Sequence, residues 1–162
     1  MSRNRIKKTN ALRLIDGKGV EYIVHTYDTG DGHNDGISVA NKIGKPADAV
    51  YKTLVCMDSN GGHCVFVIPV ERELDLKKAA KAANAKKIEM LPQKQLLAVT
   101  GYVKGGCSPL GMKKPLPTWF DESVISRETV IVSAGSPGLQ MELSALDLVD
   151  AAGAGTADLC VN

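Results

Sequence analysis

Residues 49–57, Ala-Val-Tyr-Lys-Thr-Leu-Val-Cys-Met (AVYKTLVCM), form the most strand-like stretch of the sequence and contain one lysine. Apolar residues on both alternating faces favour an interior β-strand. Lys52 would share a face with Val50, Leu54 and Cys56. Such a lysine either extends its ammonium from the strand end to water or lines a pocket in which its charge meets a ligand.

A pocket lysine has three possible chemical roles. If it is desolvated, its pKa falls and Lys52 can act as a nucleophile that forms a Schiff base, or as a general base. If it stays charged, it stabilises a phosphate or a developing oxyanion. Strand periodicity alone leaves these roles open.

The strand at 50–57 is one arm of a predicted hairpin. A second apolar run, CVFVIPV (64–70), follows the turn DSNGGH, and Asn-Gly-Gly between two such runs is typical of hairpins. Other predicted strands are 22–27, 87–90, 130–133 and 139–143, and predicted helices are 7–18, 38–43, a helix capped by Asp75 that ends at Ala83, 92–99, and 145–151 capped by Ser144. Because strands and helices interleave irregularly, we expect one mixed α/β domain over residues 1–162.

The composition is that of an ordinary globular chain of 162 residues, with 44% hydrophobic and 23% charged residues. No apolar run reaches the roughly 20 residues of a membrane helix, and the basic N-terminus MSRNRIKKTN lacks the apolar segment of a secretory signal. We therefore expect a cytoplasmic protein. The four cysteines show no Cys-x-x-Cys spacing, so we expect free and mostly buried thiols, with Cys56 and Cys64 facing each other across the hairpin.

Charge is distributed unevenly along the chain. Residues 1–114 carry a net charge of +8 and residues 115–162 a net charge of −6. The segment 77–114 holds nine lysines and one acid, Glu89. This pattern is typical either of a solvated helical face or of a surface that binds a polyanion.

Other candidate chemistry is sparse, and the sequence predicts neither a metal nor a cofactor. The three histidines have no spacing typical of a metal site, and no histidine is placed to activate Cys107. The glycines at 105–106 and in Gly135-Ser136-Pro137-Gly138 would let a backbone approach a ligand closely. Neither loop matches a phosphate-binding or dinucleotide fingerprint.

Five stretches together resemble the YbaK/EbsC family in order and spacing, over nearly the whole chain. They are HTYD (25–28), YKTLV (51–55), LKKAAKAANAKKIEML (76–91), TGYVKGGCSPLGMKK (100–114) and VSAGSPGLQMEL (132–143). The resemblance implies a mixed barrel-like β-sheet with flanking helices. It also implies hydrolysis of mischarged aminoacyl-tRNA, chiefly cysteine on tRNA(Pro), in transient association with prolyl-tRNA synthetase.

The resemblance also assigns site residues. The family's essential lysine falls on Lys52. The substrate-binding positions implied are Tyr27, Thr53, Gly105, Gly106, Ser133 and Gln140, and lysines expected to contact the tRNA backbone are Lys77, Lys78, Lys81, Lys113 and Lys114. Many relatives carry basic residues where this chain has Ser136 and Pro137, and some carry another polar or acidic residue at Gln140.

The implied mechanism is substrate-assisted. The cysteinyl thiol attacks its own ester carbonyl and leaves as a cyclic thiolactone, while Lys52 and the backbone N–H groups near Gly105 and Gly106 position the ester. Three alternatives remain open. They are a deacylase for Ala or Ser on tRNA(Pro), a tRNA- or synthetase-binding protein without turnover, and a lysine-dependent enzyme for small molecules.

Overall fold

A computed structural model describes residues 7–162. Residues 1–6, on which the expectation of no secretory signal partly rests, lie outside the described residues. The helices are α1 (Asn10–Gly17), α2 (Gly36–Lys42), α3 (Leu76–Ala82), α4 (Leu96–Thr100) and α5 (Ala145–Ala151). The strands are β1 (Tyr22–Thr26), β2 (Tyr51–Asp58), β3 (His63–Pro69), β4 (Ile88–Met90), β5 (Thr118–Asp121), β6 (Thr129–Ser133), β7 (Leu139–Ser144) and β8 (Gly155–Ala157). Short 3₁₀ segments cover Ala47–Ala49, Gln93–Gln95 and Glu122–Ser126.

The predicted hairpin of β2 and β3 is confirmed. The two strands pair antiparallel, from Tyr51 opposite Pro69 to Met57 opposite His63. In the turn, the Asp58 carboxylate accepts hydrogen bonds from the amides of Asn60 and Gly62. This use of the side chain to satisfy turn amides is the reason Asp is common in such turns.

The strands form two sheets. One has five strands in the order β4-β2-β3-β5-β8, so β2 is an interior strand, as predicted. The other has three strands in the order β1-β7-β6. A parallel bridge between Val50 and Ile131 joins them at the start of β2. The mixed α/β architecture is confirmed, but residues 7–162 form two linked sheets and not one closed barrel.

The two faces of β2 pack against different groups of residues, which is why both are apolar. Tyr51 and Val55 lie in a core that also contains residues of β6, β7, α1 and α5. Cys56, from the opposite face, packs with Ala79 and Ala80 of α3. Because both faces of β2 are covered, a polar residue of this strand such as Lys52 can face a cavity and not bulk water.

Side chains cap the helices at the predicted positions. Asp75 accepts hydrogen bonds from the amides of Lys77 and Lys78, and Ser144 accepts one from Asp147. The cysteines are free, and Cys56 lies opposite Cys64 in the hairpin, as expected. Among residues 7–162, no helix combines the length and the apolar composition that crossing a bilayer requires.

Candidate active site around Lys52

A cavity of about 140 Å³ opens where the start of β2 meets the ends of β6 and β7. Its volume is close to the roughly 150 Å³ of cavities that hold a benzene molecule. A group the size of one small amino acid therefore fits, whereas a nucleotide or an RNA strand must lie largely outside.

Six of the seven predicted catalytic and substrate-binding residues line this cavity. They are Tyr27, Lys52, Thr53, Gly105, Ser133 and Gln140. These residues come from four separate parts of the chain, and the structure brings them together at one place. The sequence pattern could not show this convergence, because it depends on the bridge that joins the two sheets.

Lys52 is the one charged residue among the described residues that line the cavity. It is half-buried. Its ammonium takes part in none of the ion pairs found within residues 7–162. A half-buried cation without a protein counter-ion is available to bind a polarised or anionic group of a ligand.

Two buried oxygens beside Lys52 lack hydrogen-bond partners among the described residues. They are Thr53 Oγ1 and Gln140 Oε1. Buried polar atoms in native proteins are nearly always paired, and leaving one unpaired costs about 1–3 kcal/mol. Both oxygens belong to residues that line the cavity, which makes them candidate acceptors for a ligand donor that reaches them.

Ser133 and Gln140 face each other across β6 and β7, where they form a directly opposed pair. Opposed residues in an antiparallel pair present their side chains on the same face of the sheet. The Ser133 hydroxyl accepts a hydrogen bond from the amide of Gly135 at 3.2 Å. Its own proton is therefore free to be donated into the cavity.

The two predicted loop glycines have different surroundings. Gly105 lines the cavity with φ of +82°, and its amide makes no backbone hydrogen bond within residues 7–162. Gly106 instead packs on the neighbouring turn, because a Cβ there would lie 2.6 Å from Cδ of Pro137. The amide of Gly106 donates to the carbonyl of Val103 at 2.9 Å. The Gly106 amide is therefore already paired, whereas the Gly105 amide has no backbone partner among the described residues.

Tyr27 lies at the edge of the cavity in a segment that several contacts hold in place. Its amide donates to the carbonyl of Gly138 at 3.0 Å, and Lys42 Nζ lies 5.9 Å from the centre of its ring. Lys42 also donates to the carbonyl of Asp28 and pairs with Asp31 at 2.8 Å. These contacts fasten the loop after β1 to α2 beside the cavity.

Sequence reasoning missed several lining residues, among them Asn34, Gly36 and Val70. Gly36 lies so close to Val70 that an added Cβ would meet Val70 Cγ1 at 2.5 Å. A glycine at the start of a helix carries no signal of this kind in one sequence. The requirement for a glycine at position 36 becomes visible only in the structure, where α2 contacts the end of β3.

Cys107 reaches the cavity but is not poised as a nucleophile. Burial raises the pKa of its thiol to about 11. The thiolate is the reactive form of cysteine, so the fraction of nucleophilic Cys107 near neutral pH is small. No histidine, aspartate or glutamate is among the described residues that line the cavity.

The predicted tRNA-binding lysines lie outside the cavity. Lys77 and Lys81 are exposed on α3, and Lys113 and Lys114 are exposed in the loop before β5. Lys78 is already engaged near the C-terminus, where its ammonium contacts Asp158 and donates to the carbonyl of Cys160 at 2.7 Å. No lysine of α3 is among the described residues that line the cavity.

His25 contacts neighbouring side chains and does not line the cavity. His25 Nε2 lies 2.8 Å from Glu142 Oε1, and Lys45 pairs with the same carboxylate oxygen at 3.4 Å. Burial on its own would raise the pKa of Glu142, but the contacts with His25 and Lys45 outweigh it and hold that pKa below its usual value. Within residues 7–162, no cluster of three or more metal-ligating side chains occurs.

Comparison with known proteins identifies the family of the chain. Residues 36–151 match the family model of the aminoacyl-tRNA editing domain. A protein of Enterococcus faecalis with the name "Putative Cys-tRNA(Pro)/Cys-tRNA(Cys) deacylase EbsC" is 45% identical over 138 residues, which cover 85% of this chain and 84% of the relative.

Two solved structures share the fold. One, described as "a putative trans-editing enzyme for prolyl tRNA synthetase", superposes with a TM-score of 0.81 at 21% identity and covers 94% of this chain and 96% of the other. The second, described as a hypothetical protein, gives a TM-score of 0.85 at 23% identity and covers 94% of this chain and 100% of its own. At these identities the similarity concerns architecture.

Proposed function

The chain belongs to the aminoacyl-tRNA editing domain family, and we propose that it deacylates tRNA mischarged with cysteine, with Cys-tRNA(Pro) as the principal substrate. The observation that carries this proposal is the composition of the cavity wall. The described residues of the wall include one lysine and two residues with unpaired buried oxygens. They include none of the carboxylates or histidines that would activate an enzyme nucleophile or a water.

Because the described residues of the wall include no carboxylate and no imidazole to act as a general base, we infer that the substrate supplies the nucleophile. The cysteinyl Sγ attacks the carbonyl carbon of its own ester, an S–C bond forms, and the C–O bond to the terminal ribose breaks. The thiol proton ends on the ribose oxygen, and the amino acid leaves as a cyclic thiolactone that water later opens. Holding the thiol and carbonyl in the reactive geometry is the main contribution of the protein.

Each polar group of the cavity has a place in this reaction. Lys52 positions the terminal nucleotide and stabilises the negative charge that develops on the carbonyl oxygen, with help from the Gly105 amide. Thr53 Oγ1 and Gln140 Oε1 accept hydrogen bonds from the ammonium of the aminoacyl group. The Ser133 hydroxyl and Tyr27 complete the wall around the ester.

This mechanism explains how correctly charged Pro-tRNA(Pro) escapes. Proline and cysteine differ too little in size for a pocket to separate them strongly by fit alone. Proline has no thiol, so it cannot carry out the attack even if it enters the cavity. The selection is therefore made at the chemical step and does not depend on a precise steric filter.

The choice of tRNA is a separate matter. The name of the Enterococcus faecalis relative pairs cysteine with two different tRNAs. We therefore expect the cavity to select the cysteinyl group and the exposed lysines Lys77, Lys81, Lys113 and Lys114 to contribute sequence-independent attraction for the phosphate backbone. Preference for tRNA(Pro) would then come from a transient complex with prolyl-tRNA synthetase.

The test is a deacylation panel with tRNA(Pro) charged with Cys, Ala, Ser or Pro, together with Cys-tRNA(Cys). Wild type should release cysteine from both tRNAs, and the other esters should react at least about 100-fold more slowly. Lys52→Met keeps the aliphatic stem but removes the charge, and it should lower kcat for Cys-tRNA(Pro) by about 10²–10³-fold.

Each contrary result identifies an alternative. If Ala- or Ser-tRNA(Pro) is cleaved as fast as Cys-tRNA(Pro), the thiol-assisted mechanism is wrong and the chain is a deacylase of different specificity. Salt-sensitive tRNA binding without hydrolysis of any ester would identify a binding protein. Borohydride trapping of a carbonyl substrate on Lys52 would instead identify a Schiff-base enzyme.

A further inference from the structure

A second cleft, of about 340 Å³, lies next to the cavity and is separated from it by two loops. Both loops contribute to both spaces. Ser133 lines the cavity, whereas Gly135 and Ser136 line the cleft. Likewise Gly105 lines the cavity, and Tyr102 lines the cleft.

The described residues of the cleft carry positive charge. Its described lining residues include Lys7, Lys8 and Arg13 but no Asp or Glu. Lys8 is partly neutralised, because it pairs with Asp16 at 2.9 Å and donates to the Tyr22 hydroxyl. Lys7 and Arg13 form no ion pair within residues 7–162.

The Arg13 side chain is held in place although it is exposed. Its guanidinium donates to the carbonyl of Lys8 at 2.8 Å and to Asn10 Oδ1 at 3.2 Å. A fixed guanidinium whose remaining N–H groups are free is suited to bind a phosphate, since its planar fork matches two phosphate oxygens. The exposed Lys7 adds a second charge at the same cleft.

A hydrogen bond and a close packing contact connect the basic cleft to the cavity. The Thr9 hydroxyl donates to the carbonyl of Ala134, so the start of α1 is fastened to the turn that follows Ser133. Gly135, with φ of +100°, brings that turn close to the cleft wall, where an added Cβ would lie 3.0 Å from Cε1 of Tyr102. These contacts set the position of the start of α1, which carries Arg13, relative to the turn after Ser133.

Another surface, which meets the cleft where Lys8 donates to the Tyr22 hydroxyl, is electrostatically unfavourable for RNA. A broad trough on the outer part of the three-stranded sheet is lined by four carboxylates, with Lys18 as its one cation among the described residues. The carboxylates belong to Glu21, Glu128, Glu142 and Asp147. A polyanion that continues from the cavity is attracted toward the basic cleft and repelled from this trough.

We propose that this cleft binds the phosphodiester backbone of the nucleotides that precede the terminal nucleotide of the substrate tRNA. The proposal rests on the function proposed above, because it assumes that the cavity holds the aminoacyl ester. Lys113 extends the same surface, since its Cγ lies 3.1 Å from the position of a Cβ on Gly101, which also lines the cleft. Lys7 and Arg13 would thus contact the tRNA backbone, a role that the sequence predicts only for lysines between residues 77 and 114.

The test compares a substrate that has these phosphates with one that lacks them. Wild type, Lys7→Ala/Arg13→Ala and Lys7→Ala/Arg13→Gln are assayed on Cys-tRNA(Pro) and on 3′-cysteinyl-adenosine. For the tRNA we expect KM to rise about tenfold and kcat to stay within about twofold. The slope of log affinity for uncharged tRNA(Pro) against log salt should become shallower by about 0.7 for each phosphate that the variant no longer neutralises.

The matched control is Lys18→Ala/Arg72→Ala, which also removes one lysine and one arginine but lies at neither the cleft nor the cavity. It should leave KM and the salt slope near the wild-type values. Thermal melting checks that Arg13→Ala, which removes two hydrogen bonds, is still folded, and Arg13→Gln retains a donor if it is not.

The inference is overturned if the Lys7/Arg13 variants bind and cleave tRNA as wild type does, or if they lose activity on 3′-cysteinyl-adenosine to the same extent. Failure of the proposed function gives a different result, because wild type would then hydrolyse neither substrate. The salt dependence of binding to uncharged tRNA still decides the cleft proposal in that case.

Discussion

Thr53 and Gln140 lie on different sheets, yet both line one cavity, and the side-chain oxygen of each is buried without a hydrogen-bond partner among the described residues. Folding alone does not account for such a pair, because each unpaired acceptor lowers stability. This loss of stability is explained if a donor group of a ligand forms hydrogen bonds with both oxygens. The ammonium of an aminoacyl ester carries three donors and could reach two acceptors at once.

Thr53→Val should separate stability from activity. Valine has nearly the same shape as threonine but no hydroxyl, so the unpaired acceptor disappears and the free energy of unfolding should stay equal or rise by up to about 1 kcal/mol. At the same time kcat/KM for Cys-tRNA(Pro) should fall about tenfold, because one hydrogen bond to the ammonium is removed. Urea unfolding and steady-state deacylation measure the two effects.

The matched control for this substitution is Thr118→Val. Thr118 is also buried in a strand, but its hydroxyl donates to the carbonyl of Leu116 at 2.8 Å. This variant should lose stability and keep the catalytic parameters. A loss of stability in Thr53→Val as large as in Thr118→Val would show that the Thr53 hydroxyl is already satisfied in the free protein.

Gly36→Ala should damage the site through a single steric contact. The new Cβ would lie 2.5 Å from Val70 Cγ1, and both residues line the cavity. Either α2 or the end of β3 must shift, so we expect a destabilisation of about 1–3 kcal/mol and a fall in kcat/KM. The measurement is chemical unfolding together with deacylation of Cys-tRNA(Pro).

A second substitution tests that cause directly. Val70→Gly removes both atoms that lie within 3.0 Å of the new Cβ, Val70 Cγ1 at 2.5 Å and Val70 Cβ at 2.6 Å. The double variant Gly36→Ala/Val70→Gly should therefore be more stable than the sum of the two single substitutions predicts. Strictly additive effects of the two substitutions would contradict the contact. Gly17→Ala is a suitable control, since no atom lies within 4 Å of an added Cβ at that position.

Cys107→Ala should lower kcat/KM by less than about tenfold. Burial raises the pKa of this thiol to about 11, so it is protonated under assay conditions and cannot serve as the attacking thiolate. Loss of a true nucleophile costs far more, on the order of 10⁶-fold in kcat in serine proteases. A fall of more than about 1000-fold in Cys107→Ala, alongside a folded protein, would assign the attack to Cys107.

Local signals in the sequence were sufficient for most of the fold. The hairpin was predicted because apolar alternation and the Asn-Gly-Gly turn act within a few residues, and the same holds for the caps at Asp75 and Ser144. The short strands β5 and β8 escaped prediction. They pair in parallel with partners far away in the chain, at Val65 to Thr118 and at Trp119 to Gly155, and only tertiary contact makes strands of so few residues.

The site, like the fold, depends partly on local sequence patterns and partly on contacts between distant parts of the chain. Periodicity identified Lys52 as an unusual residue, but whether it met water or a cavity depended on the bridge between Val50 and Ile131. The family resemblance supplied the remaining positions. It did not distinguish Gly105 from Gly106, because the packing of Gly106 on Pro137 is a contact between two loops.

Alkaline pH should destabilise the protein through its buried thiols. Burial raises the pKa of Cys56 and of Cys160 to about 12, and that of Cys64 to about 11, from an ordinary value of 9.0. Above pH 9 the unfolded chain releases these protons while the folded protein retains them. The unfolded state therefore binds fewer protons, and the free energy of unfolding falls as pH rises from 9 toward 12.

Urea unfolding in the presence of a reductant, between pH 8 and pH 10, measures this effect. Each thiol that titrates only in the unfolded chain contributes a slope approaching about −1.4 kcal/mol per pH unit. The window ends at pH 10 because burial also raises the pKa of Tyr102, to about 12, and unfolding would expose this phenol to titration at higher pH. Cys56→Ala/Cys160→Ala should be less stable than wild type at pH 8, because two buried side chains are shortened, but should lose stability less steeply toward pH 10. An equally steep loss in this variant would place the alkaline sensitivity in groups other than Cys56 and Cys160.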